Sequence, residues 1–306
     1  MLQLVADGII VGSIVALAAI GLSLTLSIFR FSNFSHGELL AWGAYLALVV
    51  NGMIGTSSAA IGPFSFGWGP VFATLCAVAG TAALAVGLDA LLFRRLRRQG
   101  SITLVIASFG ASLVLRSLLQ YWQGGVPKYY SESLQIAINI VPRSFHGGLR
   151  LTADQMLVIA LTLVVAACLH GFLRYTLLGR SMRAAAANPD LARVVGINPE
   201  RVFLATWIIG GSLAAIAGVF AGITVQLRPT MGTELLLPLF SAVILGGTGS
   251  RISTLWGAVL GGFVLGLSES AAVSLLGAEY RPVAAFVVLT VILLVKPNGL
   301  FGDKSA

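Results

Sequence analysis

The sequence predicts an all-α polytopic membrane protein with about nine transmembrane helices, some of them short or broken. Three observations carry that expectation. The 306 residues are 57% hydrophobic and only 10% charged, whereas a water-facing domain carries about 25% charged residues. The apolar residues gather in runs comparable to the roughly 20 helical residues that cross a hydrocarbon core. The basic residues fall in short blocks between those runs. That is the signature of membrane topology rather than of a phosphate-binding face, so the net charge of +8 does not imply a nucleic-acid partner.

Taken in order, the first run (4–28) has no basic segment before it and is too long for a cleaved signal, so it is expected to be a retained span. The run 37–51 is short. The next two, 68–93 and 101–122, flank "RRLRRQ" (Arg94 to Gln99). Residues 123–152 form the largest connector, expected outside. There "LQIAINIV" alternates and Gly147-Gly148 offers a turn, which predicts a short hairpin; the alternative is an ordered but inert link. A full-length run at 153–176 is followed by a basic loop, 177–201, and another full run at 202–224. The run 235–249 is short and ends in glycines, and 253–275 and 282–296 complete the nine. The 36 glycines suit close helix packing in lipid. Cys76 and Cys168 lie inside apolar runs and read as buried thiols.

Strict alternation of nine crossings puts 13 of the 19 basic residues on one side and five on the other, with Arg116 inside a span. An even number of spans would split the Arg blocks between both sides. The positive-inside rule therefore favours nine, with the N-terminus out and the C-terminus in.

Enzyme chemistry finds no support. "GGTGSRIS" (Gly246 to Ser253) lacks the Lys of a phosphate-binding loop, and the chain holds three Lys in all. His36, His146 and His170 are isolated from one another, and neither a zinc-protease helix nor a nucleophile elbow is present. Asp7, Asp89, Arg116 and Glu269 fall near span ends, where reaching to the interface is the ordinary expectation. An ion-coupled mechanism would place ionisable groups deep in the spans.

The loop 177–201 contains "GRSMRAAAANPDLARVVGINPERV". Asn188-Pro189-Asp190 and Asn198-Pro199-Glu200 are two copies of one helix start: Asn caps, Pro suits the first position, and the acid complements the positive helix end. Gly196 is a natural stop, so Pro189 to Val195 is expected as a helix of about seven residues, roughly 10 Å long. Leu191, Val194 and Val195 share one face of it. So short a helix needs something to hold it. It either plugs the groove of a cytoplasmic partner or lies on the membrane with its Arg residues on lipid phosphates. The residues alone leave the two open.

The stretch "GRSMRAAAANPDLARVVGI" closely resembles the cytoplasmic coupling loop of ABC-importer permeases in the branched-chain amino acid family, of the LivH type. "FSNFSHGELLAWGAY" (Phe31 to Tyr45) and "AVILGGTGSRISTLWGAVLGGFVLG" (Ala242 to Gly266) resemble two further elements of that family, in the same order along the chain. The resemblance implies an ABC importer permease fold over 1–306 as one transmembrane domain, in a bacterial or archaeal inner membrane. It implies a related LivM-type permease as heterodimer partner, two cytoplasmic ATPase subunits that use ATP and Mg, and an external substrate-binding protein. No cofactor is then bound by this chain. Leucine, isoleucine or valine is the implied cargo, with urea, short amides and aromatic or other hydrophobic acids as neighbouring possibilities. The resemblance tips the loop toward coupling, with Leu191, Val194 and Val195 entering an ATPase groove, Asn188, Asp190 and Gly196 fixing the helix, and Arg183 meeting acidic residues at the rim.

For the pathway, Asn33, Ser35, His36 and Gly37 read as a helix break with Glu38 in the first turn that follows. Gly246, Gly247, Thr248 and Gly249 read as the end of the seventh span. Discontinuous helices in matching positions of two halves often face a transport route, so both stretches are expected to border it. The alternative is that both are ordinary helix ends, and the two halves do not align convincingly in sequence. A reading of a different class, a stand-alone channel or ion-coupled carrier, predicts transport without any ATPase.

Overall fold

The computed structural model describes residues 2–54, 67–130, 138–141, 149–247, 253–296 and 298–301. Among them, eight helices are long and apolar enough to cross a membrane, and Met231–Gly246 is a ninth, shorter apolar helix. The helices are α1 (Leu2–Phe29), α2 (Ser35–Ile54), α3 (Trp68–Leu96), α4 (Ser101–Gln123), α5 (Ala153–Tyr175), α6 (Leu177–Ala187), α7 (Pro189–Val194), α8 (Pro199–Thr224), α9 (Met231–Gly246), α10 (Ser253–Leu276) and α11 (Arg281–Val295). The run read as short at 37–51 is a 20-residue helix, because Ser35 and His36 before it and the residues to Ile54 after it continue the turn. In α3 the helix widens to a π turn at Asp89–Phe93 before its last turn, Arg94–Leu96.

Two short strands, β1 (Ile138–Val141) and β2 (Leu149–Leu151), pair antiparallel with Ile138 opposite Leu151. The Gly147-Gly148 turn lies outside the described residues. β2 leads into α5 through a capping box: Thr152 Oγ1 accepts from Gln155 N at 3.3 Å, and Thr152 N donates to Gln155 Oε1 at 3.0 Å. The strands thus mark one end of the bundle, here the top, and α6–α7 lie at the other end of α5, the base.

Of the eight long spans the most buried are α1 and α8, which run antiparallel and cross at Gly21 and Gly210. α1 packs along α10 through small residues. A Cβ at Gly12 would stand 2.9 Å from the Cα of Phe263, and one at Gly262 would stand 2.6 Å from the Cα of Ala16. Backbone contact of this kind is how helices associate in lipid, where apolar side chains gain little by leaving one apolar medium for another.

The neighbour relations repeat. α1 packs on α10 as α8 packs on α3, α2 on α3 as α9 on α10, and α2 on α4 as α9 on α11. α1 against α9 matches α8 against α2, and α1–α8 and α2–α9 pair across the centre. Exchanging α1–α4 with α8–α11 leaves the set unchanged, and since α1 and α8 are antiparallel the repeat is inverted. The sequence alone left this repeat as a conjecture.

Both repeats contain a re-entrant connection. His36 Nε2 lies 3.1 Å from Ala18 O, and Ala18 sits about 16 Å before the end of α1 at 1.5 Å per residue. Residues 30–34 therefore climb back from the base, and α2 starts at mid-depth. Residues 225–230 do the same from the top, held there by paired hydrogen bonds between Leu227 and Lys128 of 3.0 and 2.8 Å. Nearby, Tyr130 donates to Ala44 O at 2.6 Å. Burial, with Tyr45 beside it, pushes the Tyr130 hydroxyl's titration upward, so it stays a donor.

Candidate functional site

Two places stand out, the small helix at the base and the mid-depth meeting of α2 with α9. At the base, Asn188 ends α6 and starts α7. Its Oδ1 accepts from the amides of Asp190 (3.1 Å) and Leu191 (3.0 Å), occupying two amides that no helical carbonyl reaches. At the other end Gly196, at φ +85°, bonds through its amide to Arg193 O, while Ile197 N donates to Ala192 O, each at 3.0 Å. This is a Schellman stop. It ends α7 at Val194, one residue earlier than the sequence suggested, with Val195 as the cap. Ala192 is buried, whereas Leu191, Val194 and Val195 are 60%, 82% and 67% exposed. Asp190 faces Arg193 at 3.5 Å. Arg183 is half-buried on α6, and its Nε has no hydrogen-bond partner among the described residues.

This loop is rooted in the bundle at two points. Arg30, in the left-handed region at φ +56°, donates to the carbonyls of Ala186 (3.4 Å) and Ala187 (3.3 Å) at the end of α6, where a cation is favoured. Glu200, near the end of the loop, faces Arg94 at 3.6 Å on α3 and Arg97 at 3.5 Å just beyond it. Arg97 also bonds Asp89 at 2.6 Å and lies 4.1 Å over the Phe203 ring. The sequence treated Asp89 as reaching to the interface; it is instead bound into this cluster. The sequence read Glu200 only as the acid of a helix start and did not single out Arg30; their places flanking the loop's helices were the one further mark.

At mid-depth, Asn33, Ser35, His36 and Glu38 are all buried. Asn33 Oδ1 accepts from Ser35 N (3.1 Å) and Ser35 Oγ (2.6 Å). Ser108 on α4 accepts from Phe34 N at 3.1 Å, which satisfies non-helical backbone inside the bundle. Ser35, His36 and Gly37 belong to α2 rather than to the break. His36 donates through Nε2 to Ala18 O. Gly37 meets the backbone of Gly232 so closely that a side chain on either would collide.

The first turn of α9 completes the crossing. Thr233 donates to Glu38 Oε1 at 2.8 Å and accepts from Arg116 at 3.3 Å. Thr230 donates to Glu234 at 2.7 Å. Thr233 and Glu234 are exposed, and Arg116 is half-exposed beside them. Arg116 is thus engaged within its span instead of reaching to the interface. The partner of the 33–37 stretch is the start of α9. Gly246 and Gly247 lie at that helix's other end, about 20 Å away by helical rise, with Gly246 against Gly257 and Gly247 beside Gly299. Thr248 and Gly249 lie outside the described residues. The missed signal is a pair of like stretches, "SHGELL" (35–40) and "MGTELL" (231–236), each opening a helix with Glu fourth.

A buried helix cradle around two re-entrant starts, with a capped helix presented at the base, suits a transport subunit. The family model described as branched-chain amino acid transport system, permease component, matches residues 4–296. The chain belongs to this family. The permease is 29% identical to the high-affinity branched-chain amino acid transport system permease protein LivH of Escherichia coli K12, over 98% of this chain and 95% of that protein. It is 30% identical to the corresponding protein BraD of Pseudomonas aeruginosa over the same shares. With a probable branched-chain amino acid transport permease, LivH, of Methanocaldococcus jannaschii it shares 28% identity over 96% of this chain and 90% of that protein.

Proposed function

We propose that this permease carries leucine, isoleucine or valine inward as a membrane subunit of an ATP-driven importer. Its N-terminus lies outside. Its partners are a related permease of the LivM type, two cytoplasmic ATPases that bind ATP and Mg, and an external binding protein. Family membership and the functions for which the relatives are named support the cargo. The observation that carries the mechanism is the exposed apolar triad Leu191, Val194 and Val195 on a helix fixed at both ends. An apolar face so held, in a water-facing loop, fits a groove on an ATPase.

Motion of α7 reaches the core by the two roots already described. Arg30 ties α6 to the turn between α1 and α2, and Glu200 ties α8 to α3. Both lead to helices that meet at the α2–α9 crossing. There Arg116, Thr233 and Glu234 form a polar surface at mid-depth. A charged residue facing lipid at that depth costs about 2.5–3.5 kcal/mol on insertion scales, so this surface faces the partner permease across a hydrated route.

The test is uptake of radiolabelled leucine by a host strain from which the coding region is deleted. Loss of uptake, restored by the intact gene, is the expected result. Unchanged uptake in a strain without a second leucine importer would overturn the cargo assignment.

A further inference from the structure

Toward the top of the bundle, two joined cavities open between α1, α5, α8, α9, α10 and α11. One, of about 200 Å³, is walled by Ile10, Val11, Ile14, Val15, Ala221 and Leu235. The other, of about 330 Å³, is lined by Asp7, Glu269, Ser270, Ser274 and Arg281 among others. Asp7, Val11 and Arg281 border both, so the chambers meet where an acid and a base stand.

Glu269 makes this a built site. The sequence placed it near a span end, reaching to the interface. It is buried instead, with only 4% of its side chain exposed. Its Oε2 is 4.0 Å from Arg281 Nε, and its Oε1 has no hydrogen-bond partner among the described residues. A buried carboxylate with an unmet oxygen at a cavity wall calls for a cationic donor. Ser270 is already engaged with Leu4 O at 2.7 Å, and Asp7 accepts from Gln3 at 3.0 Å. Arg281 is half-exposed and has donors to spare.

We propose that the paired cavities bind one hydrophobic α-amino acid. Its ammonium meets Glu269 and Asp7, its carboxylate meets Arg281, and its aliphatic side chain fills the chamber walled by Ile10, Ile14 and Ala221. The proposal names a substrate station for the importer proposed above, and so rests on that reading. It differs from it in needing neither ATP nor an external binding protein.

The test is equilibrium binding of tritiated leucine to the purified permease assembly in nanodiscs, without ATP and without binding protein. Saturable binding is expected, weakened about tenfold or more by Glu269→Gln and by Arg281→Ala. Ala221→Leu should narrow the apolar chamber, weakening leucine about tenfold while leaving alanine binding unchanged. Arg281→Lys should retain part of the affinity, which separates loss of charge from loss of fold. Binding that all four variants leave intact would overturn the proposal, as would no saturable binding by an assembly that still supports uptake. Displacement of leucine by added phosphatidylethanolamine, with the same dependence on Glu269 and Arg281, would also overturn it, by making the cavities a lipid site.

Discussion

At the scale of single residues, backbone approach decides which substitutions the bundle tolerates. Gly262 has Ala16 against it at 2.6 Å, whereas Gly110 on α4 has nothing within 4 Å. Gly262→Val should therefore overpack the α1–α10 seam and cost about 1–3 kcal/mol, while Gly110→Ala should be neutral or gain up to about 1 kcal/mol of helix propensity. Fluorescence-detected gel filtration after heating checks both; equal melting of the two variants would contradict the packing argument. On α7, Asn188→Ala removes a cap worth about 1 kcal/mol. Gly196→Val forces a β-branched residue to φ +85°, at a cost of about 1–2 kcal/mol. Both should lower ATPase retention on purified membranes more than permease abundance, and Asn188→Ser should restore it. These residues were legible because caps and stops are local chemistry: Asn188, Pro189 and Gly196 act on amides within a few positions of themselves.

At the scale of elements, the two re-entrant starts act as one unit. Arg116, Thr233 and Glu38 come from three helices, and no local pattern marks them as neighbours. That is why Arg116 read as an interfacial residue, and why 33–37 was paired with the glycines after α9 rather than with its first turn. The span lengths were legible from hydropathy. The direction in which a short polar break travels was not, because residues 30–34 could as well run along the base. Arg116→Ala and Thr233→Val should each lower leucine uptake about tenfold at unchanged membrane abundance, the loss expected for a charge-assisted hydrogen bond. Thr233→Ser, which keeps the hydroxyl, should transport. Equal uptake by Thr233→Val and Thr233→Ser would show that the hydroxyl is dispensable and remove the crossing from the route.

At the scale of the whole molecule, the inverted repeat sets α1 against α8 and α2 against α9. Nine apolar runs and their order were visible in the sequence. The repeat was not, because what it preserves is which helices touch, and little of that is written in residue identity beyond "SHGELL" and "MGTELL". The orientation expected from the basic loops is open to a direct test. In a variant whose Cys76 and Cys168 are replaced by Ser, Val126→Cys should react with an impermeant maleimide on intact cells, and Val194→Cys only after permeabilisation. Both sites are well exposed on the permease itself, at 73% and 82%, and a strain that lacks the ATPases keeps the proposed groove from shielding Val194→Cys. The opposite labelling pattern would invert the topology.

The central claim is that the loop between α6 and α8 couples this permease to its motor. It is tested most directly by Leu191→Asp combined with Val195→Asp, two exposed positions whose replacement keeps the Asn188 side-chain cap and the Gly196 stop of α7. The measurement is the amount of ATPase subunit retained on purified membranes, alongside leucine uptake, at matched permease abundance. The account predicts that the double variant inserts normally, loses the ATPases and does not restore uptake to the deletion strain. Wild-type retention and wild-type uptake would contradict it, leaving α7 as a surface turn with no part in coupling.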